Sequence, residues 1–250
     1  MLDLIIKNGY VIDGTGNPWF RADVGIQGER IERIGSLDKE EALEVIDASG
    51  LVVSPGFIDM HSHSDLLLLI NPKAESKIRQ GITTEVVGNC GNSAAPLNKL
   101  MKEEMLKTTP LLEEAGLKLD WVTMGDYMNR LGRQGVAVNV APLVGHENVR
   151  VPLIGYDRRA PTTAELDEMK KVLTAAMRDG AFGMSTGLIY PPSCYAKTDE
   201  LIELSKVVAE YGGIYASHIR GEVDELFESV KEAIRIGEEA GLPVEISHHK

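Results

Sequence analysis

Residues 55–65 read Pro-Gly-Phe-Ile-Asp-Met-His-Ser-His-Ser-Asp, and the fold is decided by how this stretch is read. Gly56 permits close packing, and the short apolar run Phe57–Asp59 has the character of a buried strand. His61 and His63 emerge directly after it. In extended backbone, residues two apart point the same way, so both imidazoles can face one ion. A histidine pair at this spacing is a weak signal by itself; its position at the end of a strand strengthens it.

Downstream, apolar strand-like runs alternate with helical patterns, the signature of repeated βα units and a parallel sheet. After Phe57–Asp59 the candidate strands are Thr83–Val87, Val136–Val144, Ala181–Ser185, Ile214–Ser217 and Val244–Ser247. Between them, Thr162 with Glu165 forms a capping-box pattern before Leu166, Met169, Leu173, Ala176 and Met177, and Gly180 ends that helix. Thr198 is expected to cap a second helix carrying Leu201, Leu204 and Val208, stopped by Gly212 and Gly213. A third is expected from about Glu222, with Val223, Leu226, Val230 and Ile234 on one face and a stop at Gly241. The last strands recur about every 30 residues, but the gap between the second and third is about twice that. The excess, roughly residues 97–132, reads as a helical insertion, either a surface excursion or a lid.

Six such strands point to an α/β fold of (β/α)8 TIM-like type, incomplete, with strands 1–6 only. A closed barrel of this kind typically takes about 250 residues by itself, whereas residues 56–250 are fewer. The segment 1–55 reads differently, as a small N-terminal all-β domain. Leu4–Ile6 and Tyr10–Ile12 read as strands before the turn cluster at Asp13–Gly16. Asp23–Gln27 and Ile31–Ile34 read as a hairpin around Gly28, and Leu43–Ile46 and Leu51–Val53 as another around Ala48–Gly50. So few short strands cannot bury both faces of a sheet, and this domain should lean on something else.

Composition narrows the function. The 250 residues are 43% hydrophobic, which excludes wholesale disorder, and 26 basic against 38 acidic side chains give a net charge of −12. That charge opposes binding to a nucleic-acid backbone or an anionic membrane. Two cysteines make no disulfide framework. No apolar run is long enough to span a bilayer, and the N-terminus does not read as a signal peptide. A cytoplasmic location is expected.

All six histidines (His61, His63, His146, His218, His248 and His249) fall at or just beyond the end of a candidate strand. In a barrel those ends open on one face, where active sites are built. Cys90, in Gly-Asn-Cys-Gly, should reach the same face, and a thiolate beside imidazoles is a good zinc ligand. Cys194 reads as a small buried hydrophobe. Neighbours on a strand point to opposite sides, so one of His248 and His249 faces the site; the pattern leaves both open.

Residues 55–65, together with Gly-Ile-Thr-Thr-Glu-Val-Val-Gly-Asn-Cys-Gly-Asn at 81–92, Gly-Leu-Ile-Tyr-Pro-Pro-Ser at 187–193, Ser-His-Ile-Arg-Gly-Glu at 217–222 and the ending Glu-Ile-Ser-His-His-Lys, resemble the N-acyl-D-amino-acid deacylases of the amidohydrolase superfamily. The likeness runs over essentially the whole chain. It implies one tightly held zinc on Cys90, His218 and His248, which selects His248 over His249, and a second, weaker metal position on His61 and His63. It implies substrate contacts from Tyr190 and from Lys250, the latter to an α-carboxylate. Many relatives carry a bridging lysine on the fourth strand; Ala181–Gly187 has none, as in the cysteine-containing branch. The family's catalytic aspartate belongs to an eighth strand, beyond residue 250, so this chain alone is expected to be inactive.

The implied reaction is zinc-dependent hydrolysis of N-acyl-D-amino acids to a carboxylate and a free D-amino acid. Two alternatives stand beside it: a cyclic-amide hydrolase of the dihydroorotase or hydantoinase type, and a non-catalytic metal-binding fragment or subunit of a split enzyme. The expected partners are a small-molecule N-acyl amino acid and either a C-terminal half or a second copy of the chain.

Overall fold

The computed structural model describes residues 1–248. Two compact units divide the chain, Met1–Phe57 and Ile58–Lys250. No helix among the described residues is long and apolar enough to cross a membrane.

The first unit is a mixed sheet of β1 (Leu2–Val11), β2 (Phe20–Gln27), β3 (Arg30–Gly35), β4 (Ala42–Asp47) and β5 (Val52–Val53). β1 to β3 form an antiparallel meander, and β4 and β5 both pair parallel with β1. Two expectations are corrected here. Leu4–Ile6 and Tyr10–Ile12 are not separate strands but one, β1, with a bulge between Ile6 and Gly9. Asn8 takes a left-handed φ of 64° there, and its amide donates to Asp23, whose other carboxylate oxygen accepts from Leu37. The proposed hairpin around Ala48–Gly50 is also absent. β4 pairs along Leu2–Lys7 and β5 along Tyr10–Val11, so the two lie one after the other on the same edge of β1. The core is small, built on Leu2, Ile5 and Leu37, and leaves Leu43, Val45 and Val52 exposed.

The second unit holds a sheet in the order β11-β10-β9-β8-β7-β6, from β6 (Phe57–Asp59), β7 (Ile82–Val87), β8 (Asn139–Gly145), β9 (Gly183–Gly187), β10 (Ile214–His218) and β11 (Val244–Ile246). From β7 to β11 every pairing is parallel. Sheet order equals chain order, so every crossover runs the same way. The strand order never reverses as it would in a doubly wound sheet, and this is a barrel wall. Side chains alternate accordingly. Val144, Met184 and Tyr215 join the main core with the helices, while Val86, Ala141, Leu143 and Ala216 cluster on the other face.

The helices are α1 (Leu67–Ile70), α2 (Glu75–Ile78), α3 (Lys99–Thr108), α4 (Leu111–Glu114), α5 (Met124–Gln134), α6 (His146–Ile154), α7 (Thr163–Arg178), α8 (Thr198–Glu210) and α9 (Leu226–Ala240). The Thr162–Glu165 capping box forms as expected. Thr198 does not cap α8; its hydroxyl donates to Glu232 instead, 2.8 Å away. α9 begins later than expected and buries a different face, Ser229, Ala233, Ile236 and Gly237, leaving Val223 and Ile234 exposed. The cause is close approach to β11: a Cβ on Gly237 would lie 2.2 Å from Val244. α6, which has no periodic apolar face and contains Pro152, was not foreseen.

The insertion is helical (α3 to α5) and belongs to the core. Trp121, Met124, Tyr127 and Leu131 are buried in the main cluster. The Trp121 indole donates to Ala94 O at 2.7 Å and the Tyr127 hydroxyl to Asp65 O at 2.8 Å. Trp121→Ala should therefore destabilise the fold by about 3–5 kcal/mol, measured by denaturant unfolding. A loss below about 1 kcal/mol would mean the insertion is a dispensable surface excursion.

Candidate metal centre

Four strand ends carry the candidate donors. His61 and His63 follow β6, Cys90 lies in the turn after β7, His218 ends β10 and His248 follows β11. The Cys90 turn is set down on its neighbours by glycines. A Cβ on Gly187 would lie 2.2 Å from the Cys90 carbonyl oxygen, and one on Gly91 would lie 2.6 Å from the Gly187 nitrogen. Ser185 of β9 ties the turn at both ends, accepting from Gly91 N and donating to Gly88 O. Farther on, Asn148 of α6 accepts from Ser93 N and donates to Ser93 O, and Ser93 Oγ accepts from Gly145 N. So fixed, Cys90 sits at φ 56°, and His248 after β11 sits at φ 38°. Both are left-handed conformations that side-chain-bearing residues avoid and that surrounding structure must enforce.

The sulfur of Cys90 is the hub. Its Sγ lies 3.4 Å from His61 Nε2, 3.7 Å from His218 Nδ1 and 3.8 Å from His248 Nε2, and the last two nitrogens are 2.7 Å apart. Two donor triplets share it, His61–His63–Cys90 and Cys90–His218–His248, with donor atoms in each triplet within 4.8 Å of one another. His218 turns its Nε2 toward the Glu222 carboxylate at 3.4 Å, the outer contact that typically orients a ligating imidazole. The His61 ring has Nδ1 buried with no hydrogen-bond partner among the described residues. One thiol with four imidazoles suits zinc, and does not suit magnesium or calcium, which require oxygen donors.

Electrostatics agree with that fit. Burial, then the neighbouring His248 and His63, pushes His61 down to about 4, and burial lowers His63 as well. Both rings are therefore neutral and able to ligate at pH 7. Behind β6, Lys77 pairs with Asp59 and with buried Glu85, whose oxygens also engage Ser62 and Ser64. This cluster braces the backbone of the histidine pair. Glu85 and Ser185 carry no periodic signal in the sequence, since each acts through contacts to residues distant in the chain.

A cavity of about 520 Å³ opens beside the cluster, walled by His63, Cys90, Tyr190, Asp65, Glu147 and, from the insertion, Met105. A smaller one of about 270 Å³ adjoins it and shares Met105 and Glu147. Burial lifts the carboxyl of Asp65 to about 7 and, with Glu104 nearby, that of Glu147 to about 7. Tyr190 sets its ring 5.0 Å from that of His218. His146 lies apart from the cluster, wholly buried at the start of α6. His249 and Lys250, the latter expected to contact substrate, lie outside the described residues.

Residues 44–250 match the model of the amidohydrolase family. The chain belongs to that family. Within it, the chain is 43% identical over 248 residues to D-aminoacylase of Alcaligenes xylosoxydans xylosoxydans, covering 99% of this chain and 50% of that protein. A crystal structure of N-acyl-D-glutamate deacylase from Bordetella bronchiseptica, complexed with zinc and a phosphonate inhibitor, is similar at a TM-score of 0.89 and 42% identity, over 100% of this chain and 52% of that one. A D-aminoacylase structure with a binuclear metal centre gives a TM-score of 0.90 at 42% identity, with the same coverage. The chain thus spans about half the length of the relatives it matches.

Two outcomes test this geometry. Cys90→Ala should strip all zinc from the gel-filtered protein, while His63→Ala should retain one ion per chain; elemental analysis reads both, and full zinc in Cys90→Ala would displace the sulfur from the hub. The second is a pH effect. The folded metal-free protein resists protonating His61 until about pH 4, whereas the unfolded chain takes up that proton near 6.5. The stability of the wild type relative to His61→Gln should therefore decline as pH falls from 6.5 to 4. Asp65 and Glu147, with raised values, act in the opposite direction, so the difference between the two proteins is the quantity to follow.

Proposed function

We propose that this chain supplies the metal-binding half of a zinc-dependent deacylase that hydrolyses N-acyl-D-amino acids to a carboxylate and a free D-amino acid. The observation that carries the reading is the convergence of Cys90 with four histidines from three other strand ends beside a cavity, in a chain 43% identical to a D-aminoacylase over nearly all of its length. Cys90, His218 and His248 hold the tighter ion; His61 and His63, with Cys90 as the shared corner, hold the weaker one. Zinc held there supplies Lewis-acid activation of the acyl carbonyl and of the attacking water.

The chain's own residues do the rest of the binding. Tyr190 and Met105 wall the cavity in which the acyl amide lies, and Lys250 receives the α-carboxylate. Water activation also needs a base to take its proton and return it to the leaving nitrogen. We assign that role to an aspartate in the part of the relatives beyond this chain's span, so residues 1–250 alone are inactive and are completed by a C-terminal half. We place the protein in the reducing cytoplasm, which suits a chain with only two cysteines, one of them at the donor cluster.

The whole polypeptide should release amine from N-acetyl-D-amino acids at least tenfold faster than from the L-enantiomers. It should lose that activity on chelation and regain it with zinc. Equal rates for the two enantiomers would remove the D-aminoacylase reading and leave the hydrolase class standing.

A further inference from the structure

One histidine at a strand end takes no part in the metal cluster. His146 begins α6 and is wholly buried. Its Nδ1 lies 2.8 Å from Ser193 Oγ, and its Nε2 lies 3.1 Å from Glu200 Oε1. Arg150, also wholly buried, donates through Nη1 to both Glu200 oxygens at 2.8 and 2.9 Å, and through Nη2 to Arg159 O. The Glu200 carboxylate can only accept, so Nε2 carries the hydrogen of that contact, and Nδ1 shares the other hydrogen bond with the Ser193 hydroxyl. The order Ser–His–Glu resembles a nucleophilic triad, but Ser193 has no exposed surface and cannot meet a substrate.

The function of the cluster lies in what Ser193 carries. It opens a single 3-10 turn, Ser193–Tyr195, three residues after Tyr190. Tyr190 donates its amide to Gly187 O at 2.9 Å and accepts from Cys194 N at 2.8 Å, so turn and tyrosine move together. On the far side, Arg220 grips Cys194 O and Ala196 O while pairing with Glu232. The free end of this loop is the Tyr190 ring, beside His218 and on the cavity wall. A buried ion pair is poor evidence of net stabilisation and better evidence of a demand for one fixed geometry.

We propose that His146, held by Glu200 and Arg150, is a positioning residue that fixes Tyr190 against His218 through its hydrogen bond to Ser193. The activity part of the test rests on the deacylase reading; the other two parts do not.

In the whole protein, Ser193→Ala removes the linking hydroxyl and leaves Arg220 to keep the loop folded. Amide exchange across residues 187–196 should rise at least tenfold, with α8 unchanged. Chelator-driven zinc release should accelerate at least threefold in Ser193→Ala, and not further when Ser193→Ala is added to Tyr190→Ala. The kcat/KM for an N-acetyl-D-amino acid should fall about fivefold to twentyfold, mostly in KM, and again not further in the Tyr190→Ala background. Such non-additivity is the mark of an effect transmitted through Tyr190. Unchanged exchange, or equal factors in both backgrounds, overturns the proposal. If no N-acyl-D-amino acid is hydrolysed at all, the deacylase reading falls, and exchange with zinc release still decides the role of His146. Should Ser193→Ala not fold, Ser193→Cys, close in size but a weak donor, is read the same way.

Discussion

Everything at the metal centre depends on one close approach of backbone to backbone. The carbonyl of Cys90 lies where a side chain on Gly187 would have to be. The carboxyl end of β9 is therefore roofed by the Cys90 turn. Any side chain at that point and the cysteine turn lying across it would compete for the same space. Gly145 repeats the arrangement at the end of β8, where a Cβ would fall 2.5 Å from Gly91 O. With two strand ends flattened this way, one sulfur can stand at the centre of histidines that belong to distant strands.

The approach also explains the strain at Cys90. Cys90 and His248 both hold left-handed backbone, a conformation of order 1 kcal/mol or more above the alternatives for such residues. Ser185, Asn148 and Ser93 supply the hydrogen bonds that enforce it around Cys90. These polar side chains are almost wholly buried, and each is saturated by backbone partners, so the polar content of the barrel end serves geometry. Charge is kept one layer back, in the Lys77–Glu85–Asp59 group under β6 and the Arg150–Glu200 pair under the Tyr190 loop. The layer that meets the metal is left to imidazoles and the Cys90 sulfur.

The barrel wall was legible because its signal is repeated: apolar strand, helical period, glycine stop. The convergence of His61, His63 and Cys90 was legible because strand ends in such a fold share one face. What failed did so for local reasons. The bulge at Asn8 depends on a carboxylate fifteen residues away, and no window around Asn8 reveals it. The face of α9 was misread because large apolar side chains ordinarily mark the buried side. Here Ser229, Ala233 and Gly237 are buried since small residues let the helix close on β11. α6 escaped notice because its buried face includes His146, Asn148 and Arg150, which count as polar in any periodicity and are buried only because Ser193, Ser93 and Glu200 satisfy them.

The insertion completes the division of labour. A lid that opens freely would be joined to the barrel by few buried contacts, yet α5 is sealed into the main core by Trp121, Met124 and Tyr127. Its neighbour α3 is capped by Asn98 and brings Met105 to the cavity. Glu104, one residue before it, binds the Tyr156 hydroxyl at 2.7 Å and so crosses back to the segment after α6. The wall of the cavity opposite Tyr190 is consequently tied to the same helix that His146 begins. Both walls refer to α6, and α6 in turn is bonded through Asn148 to the loop that follows Cys90. The distance between the metal donors and the surfaces that receive a substrate is therefore set by one buried helix, which a sequence reading passes over because its function depends on polar side chains turned inward.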